Sequence, residues 1–227
     1  MSKPILIGMT SHGELGDTGR STGAYIPEVA HAWRVFADAG HEVQLMSVRG
    51  GMPPLDAIDR ADPVQRAFLD DPEMSTRLRQ TVVAAAVDPH DYAVIFFAGG
   101  HGAAWDMPND QRTAELVRHA HEGGAVIGAV CHGPCALANV VLSDGSHLLA
   151  GRAVAGFTDE EERSIGMTNV VPFLLSDAFA KAGARHDVGP SFLPHAVVDD
   201  GVVTGQNPAS ATSTAELVIE TLGITVR

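Results

Sequence analysis

The sequence predicts an α/β protein built on a doubly wound, mostly parallel sheet with helices on both faces. Three observations carry this. Residues 93–98 (AVIFFA) and 125–130 (AVIGAV) are short, uninterrupted apolar runs, the composition of central strands buried on both sides. Strand-like runs alternate along the chain with segments whose apolar residues recur at helical spacing. The chain has 227 residues, 45 % of them hydrophobic, which is enough for one sizeable core and leads us to expect a single domain over 1–227.

Taken in order, residues 3–9 (KPILIGM) read as the first buried strand. Residues 24–39 read as a helix stopped by Gly40, and 42–48 as an alternating strand. Residues 50–72, rich in Gly, Pro and Asp, read as a loop with a short helix, followed by a helix over 75–87. Helices are expected over 109–122 and 134–142, a short strand over 153–157 and an amphipathic helix over 171–182. Residues 196–199 and 202–204 flank Asp200-Gly201, which signals a hairpin; alternatively they are halves of one bent strand. The last helix, 208–222, starts with Pro208.

The net charge of -13 argues against a nucleic-acid partner, because an acidic surface repels phosphate backbones. No stretch approaches the roughly 18 apolar residues of a membrane span. Residues 1–10 lack the apolar core of a signal peptide. Two cysteines, Cys131 and Cys135, are too few for a disulfide scaffold, and the expectation is a cytoplasmic protein.

In doubly wound sheets, ligands bind beyond the carboxyl ends of the strands. The second central run leads straight into Cys131-His132-Gly133-Pro134. The pattern Ala129-x-Cys131-x-Gly133 is a cysteine version of a nucleophile elbow, whose tight turn requires small neighbours. A helix starting just after Cys131 would lower its thiol pKa and favour the thiolate. Gly99-Gly100-His101-Gly102 follows the other central run, and its amides either form an oxyanion hole beside Cys131 or make a plain turn. Glu28 sits in the apolar stretch AYIPEVAHAW: it either faces a pocket, with a raised pKa and a proton-shuttling role, or it faces solvent. The histidines show neither the i,i+4 spacing of a helical zinc site nor an HExxH motif, so no metal and no cofactor are expected.

These segments, together with 22–28 (TGAYIPE), Trp105-Asp106, Gly156-Phe157-Thr158-Asp159 and 204–210 (TGQNPAS), resemble the DJ-1/PfpI superfamily. Within it, the chain is similar to the Hsp31-like, glutathione-independent glyoxalases, and the resemblance covers nearly the whole sequence. It implies a flavodoxin-like, class I glutamine amidotransferase-like fold and a homodimer. It implies Cys131 as nucleophile, His132 as its base, Glu28 as proton carrier and an acid after the Gly-Phe-Thr segment. That acid maps onto Glu162, with the run 159–162 leaving its register open by one or two positions. Gly99, Gly100, His101 and Trp105 are implied around the oxyanion and substrate. The implied reaction converts methylglyoxal, or a related small 2-oxoaldehyde, to a 2-hydroxy acid such as lactate through a Cys131 hemithioacetal, a lyase reaction of the D-lactate dehydratase class. Alternatives within the superfamily are a stress chaperone or protein deglycase, and a cysteine peptidase or amidase. Amidotransferase activity is disfavoured, because His195 is followed by Ala196-Val197 rather than Pro-Glu.

Overall fold

The computed structural model describes residues 3–223. The ends of the predicted 1–227 domain, residues 1–2 and 224–227, lie outside the described residues. The chain runs β1 (Ile5–Met9), β2 (Ala24–Tyr25), α1 (Ile26–Asp38), β3 (Val43–Ser47), β4 (Leu55–Asp56), α2 (Pro63–Asp70) and α3 (Pro72–Arg79). It continues through β5 (Val94–Phe97), α4 (Ala103–Asp106), α5 (Gln111–Glu122), β6 (Val126–Val130), β7 (Ala153–Val154) and α6 (Asp159–Ser164). It ends with α7 (Leu175–Ala182), β8 (Arg185–His186), β9 (Ala196–Asp199), β10 (Val202–Gly205) and α8 (Ala211–Thr221).

The main sheet has the order β3-β1-β5-β6-β10-β9. All its pairings are parallel except β9 with β10. Every residue of β1, β5 and β6 is buried, as the unbroken apolar runs require of strands covered on both faces. Helices α1 and α8 pack side by side against the sheet, and α5 packs on β5 and β6. The architecture is the expected doubly wound α/β fold.

Helix starts follow local chemistry. Asp62, Asp71 and Asp110 each accept backbone N–H groups at the starts of α2, α3 and α5. Asp200 (φ 45°) and Gly201 (φ 75°) form the tight turn of the β9–β10 hairpin, which settles the two readings of that segment.

Four expected elements differ. The 75–87 helix ends at Gln80, because Thr81 and Val82 make bridges to Gly51 and Met46 at the sheet edge. The 153–157 strand shrinks to β7, and the helix of 171–182 begins only at Leu175. The expected helix over 134–142 is a short 3₁₀ turn, Gly133–Leu137, wholly buried and pressed against the end of β5. A Cβ at Gly133 would lie 2.2 Å from the Phe97 carbonyl oxygen.

Candidate functional site

The site forms where β5 and β6 end and α1 begins. Cys131 follows β6 directly and has φ 60°, a left-handed conformation that costs on the order of 1–3 kcal/mol for a residue with a Cβ. The surrounding backbone holds it there. Its N–H donates to the Gly205 carbonyl at 2.9 Å, and its own carbonyl accepts the Phe157 N–H at 3.0 Å. This is the strained elbow that the small neighbours suggest.

His132 places Nδ1 3.4 Å from the Cys131 sulfur. Its Nε2 lies 2.7 Å from Glu162 Oε1. Within the acidic run only Glu162 meets His132: Asp159 binds Ser176, Glu160 is exposed, and Glu161 makes contacts of its own. His101 Nε2 reaches the second Glu162 oxygen at 3.4 Å, and the two imidazole rings lie 4.4 Å apart. Burial opposes the charge on Glu162, but the two histidines outweigh it and bring its carboxyl down to about 2. An ionised carboxylate only accepts, so His132 donates through Nε2 and presents a bare Nδ1 to the thiol. Burial also keeps His132 below the usual histidine range, so it is neutral at neutral pH.

On the other side of the sulfur, Glu28 sits in the first turn of α1 and is completely buried. Its Oε2 accepts the Gly99 N–H at 2.6 Å. Its Oε1 has no partner other than the neighbouring sulfur. Burial pushes this carboxyl up to about 8, so it carries a proton at neutral pH.

The thiol departs from expectation. Burial pushes Cys131 well above the usual thiol range, and Glu28 adds to the effect; the backbone N–H of His132 acts the other way and does not prevail. A 3₁₀ turn of five residues replaces the helix that was to stabilise a thiolate. The resting sulfur is therefore a neutral thiol placed between a protonated carboxyl and a neutral imidazole. Cys135 is also buried and free, and burial holds its thiol up.

Gly100 turns the 99–102 loop with φ 102°, and a Cβ there would lie 2.0 Å from the Gly23 carbonyl oxygen. Gly100, His101, Cys131 and His132 line a cavity of about 390 Å³. Gly99 lies behind it, holding Glu28. Trp105 is not among the lining residues: it stacks on His12 at 5.1 Å and packs on the cluster of Leu15, Met167 and Val171. Its neighbour Asp106 instead ties the loop to the end of β1, accepting from Thr10 Oγ1 and Ser11 N at 2.7 Å each.

Sequence reasoning missed several cavity walls. Tyr25, Phe157 and Asn207 lay within motifs already singled out, so proximity to those motifs was the signal. Asp56, at the end of β4, Ile165, just after α6, and Phe192, in a loop, come from segments with no chemical pattern.

The ligating atoms of His101, His132 and Glu162 lie within 4.8 Å of one another, the nearest approach to a metal cage among the described residues. Ligands on one tetrahedral zinc ion stand about 3.3 Å apart, given bonds of about 2.0–2.1 Å. The His132–Glu162 separation of 2.7 Å is a hydrogen bond instead, and a metal would have to break it.

Over nearly its whole length the chain is similar to Glyoxalase 3 of Candida albicans, with 32 % identity covering 95 % of this chain and 96 % of that protein. The glutathione-independent glyoxalase HSP31 of Saccharomyces cerevisiae is 28 % identical, over 97 % and 98 % of the two chains. Among solved structures, the Rapid Encystment Protein of Francisella tularensis superposes with a TM-score of 0.93 at 32 % identity, over 97 % of this chain and 99 % of that one. The DJ-1/PfpI family model matches residues 23–221, and the chain belongs to that family.

Proposed function

We propose that this protein is a cysteine-dependent glyoxalase of the lyase type, converting small 2-oxoaldehydes such as methylglyoxal to 2-hydroxy acids without glutathione. The observation that carries the reading is the chain Glu28–Cys131–His132–Glu162, with a protonated carboxyl on one side of the sulfur and an oriented neutral imidazole on the other.

The reaction needs proton carriers at two carbons and two oxygens, and the four residues suffice. As the sulfur attacks the aldehyde carbon, His132 Nδ1 takes the thiol proton and Glu28 protonates the aldehyde oxygen, giving a hemithioacetal. Glu28, now a carboxylate, removes the proton from that carbon while the imidazolium protonates the neighbouring ketone oxygen, giving an enediol. Glu28 returns its proton to the second carbon, and His132 takes the proton of the first hydroxyl, leaving a thioester. Water attacks the thioester: its hydroxyl joins the acyl carbon, its proton goes to Glu28, and the departing sulfur takes a proton from His132. The 2-hydroxy acid leaves and every group returns to its starting state. Glu162 stays ionised throughout and stabilises the imidazolium each time it forms. Gly100 and His132 line the cavity with Cys131, and in this reading their amides hold the developing oxyanion.

The test is lactate formation from methylglyoxal by purified protein with no glutathione present. Turnover is expected in the native chain and a loss of about 10³-fold or more in Cys131→Ala. Equal turnover in the two proteins rules the assignment out.

A further inference from the structure

Glu161 stands next to Glu162 on α6 and does something different. Its Oε2 accepts the Thr158 N–H and hydroxyl, both at 2.9 Å, which completes a capping box at the helix start. That box leaves Oε1 unused. Oε1 nevertheless collects three more donors: the Phe192 N–H at 2.7 Å, Asn207 Nδ2 at 2.8 Å and Gln206 Nε2 at 3.1 Å. Burial opposes its charge, but the donors from Phe192, Thr158, Asn207 and Gln206 prevail and keep the carboxyl below the usual range. One buried carboxylate thus ties together the helix carrying Glu162, the loop carrying Phe192 and the segment carrying Asn207. All three segments line the cavity or orient His132.

Phe192 shows what the clamp holds. Its φ is 59°, a left-handed conformation unfavourable for a bulky side chain, and its N–H is one of the shorter bonds to Glu161. The residue is exposed, yet its ring forms part of the cavity wall and lies edge-on to Phe157 at 6.2 Å. Phe157 in turn lies 5.0 Å from the His132 imidazole. An aromatic side chain left partly in water, on a strained backbone, in the wall of the cavity that Cys131 lines is not explained by core packing.

We propose that Glu161 positions Phe192 as a size-selecting wall, so that the pair determines which 2-oxoaldehydes reach Cys131. The substrate class is 2-oxoaldehydes with a compact apolar substituent, and bulky aryl substituents are held back by the ring. The inference rests on the glyoxalase reading for its substrate, but the wall can be measured without turnover.

The experiment compares kcat/KM for phenylglyoxal with that for methylglyoxal in the native chain, Phe192→Ala, Glu161→Gln and the double variant. Phe192→Ala is expected to raise the ratio at least 10-fold, Glu161→Gln to raise it less, and the double variant to match Phe192→Ala, because the clamp has nothing left to hold. A Glu161→Gln protein that loses thermal stability with an unchanged ratio shows a purely structural carboxylate and overturns the positioning role. In parallel, alkylation of Cys131 by iodoacetamide is compared with alkylation by N-phenylmaleimide; Cys135 is fully buried and does not compete. Phe192→Ala is expected to shift this ratio toward the bulky reagent by a similar factor. A shift in alkylation without any turnover sinks the glyoxalase reading and keeps the wall. Folded Phe192→Ala and Phe192→Leu proteins in which neither ratio moves overturn the inference.

Discussion

Two buried glutamates serve the same site, one against the Cys131 sulfur and one behind His132, and are held in opposite states. Glu28 receives one backbone N–H and has an oxygen with no partner but sulfur; its carboxyl rises to about 8. Glu162 faces two imidazoles, and its carboxyl falls to about 2. Both are buried, so burial alone does not set the charge. The number and kind of donors decides it, and the two environments divide acid from anchor. In the proposed reaction Glu28 loses and regains a proton, whereas Glu162 stays ionised near neutral pH.

The sharpest way to break the comparison is to remove the proton from one side and the charge from the other. Glu28→Gln keeps the shape and the Gly99 contact but can carry no proton between carbons. We expect kcat for methylglyoxal to fall by about 10³-fold, within the usual range for a general acid–base group. Glu162→Gln leaves the proton carriers in place and weakens only the orientation and charge of His132; a fall of about 10²-fold is expected. Measured kcat values in the reverse order would show that the two roles have been assigned the wrong way round.

The pH profile sharpens the same contrast. Glu28 must start protonated, so kcat/KM is expected to fall as pH rises through about 8. His132 must start neutral, and its depressed pKa places the acid limb below the usual histidine value. The residual activity of Glu28→Gln is expected to lack the alkaline limb. Persistence of that limb in the variant would assign it to another group. Alkylation of Cys131 followed against pH gives a third measure, expected to rise only above the ordinary thiol range, since burial holds the thiol neutral.

How much of this was legible in the sequence depends on how local the cause was. Cys131 and Gly99-Gly100 follow unbroken apolar runs, and strand ends in a doubly wound sheet mark the ligand crevice. Glu28 was ambiguous because a helix start tolerates a carboxylate on either face; its burial comes from the 99–102 loop, distant in sequence. The acid run 159–162 gave no register from composition. The Thr158–Glu161 spacing is a capping-box signature that was available, and it commits Glu161 to the helix start and leaves Glu162 to meet His132. Trp105 misled because a motif neighbour need not share a direction: the single turn of α4 carries it onto His12. The thiol was misjudged for a similar reason. Gly133 must pass so close to the Phe97 carbonyl that only a tight, buried turn follows Cys131, and burial then governs the sulfur.

The smallest expected effect concerns stability, where the two glutamates carry opposite signs. Glu28 has a folded-state pKa raised from 4.5 to about 8. Its contribution is fully present below 4.5 and is lost as pH rises through about 8, at a slope of about 1.4 kcal/mol per pH step. Glu162 has a pKa lowered from 4.5 to about 2, so its contribution is present above 4.5 and is lost as pH falls toward about 2. Between pH 5 and about pH 8 the depressed histidines His121, His132 and His186 titrate as well, so the difference in denaturant unfolding between the native chain and Glu28→Gln isolates the first glutamate. Glu28→Gln is expected to flatten the pH dependence toward the alkaline end of that window, and Glu162→Gln to leave that alkaline loss as it is, changing only the part near the histidine range that His132 sets. Parallel slopes in all three proteins would mean that Glu28 ionises in the folded state without penalty. A carboxyl that ionises so easily could not arrive at the substrate with a proton to give.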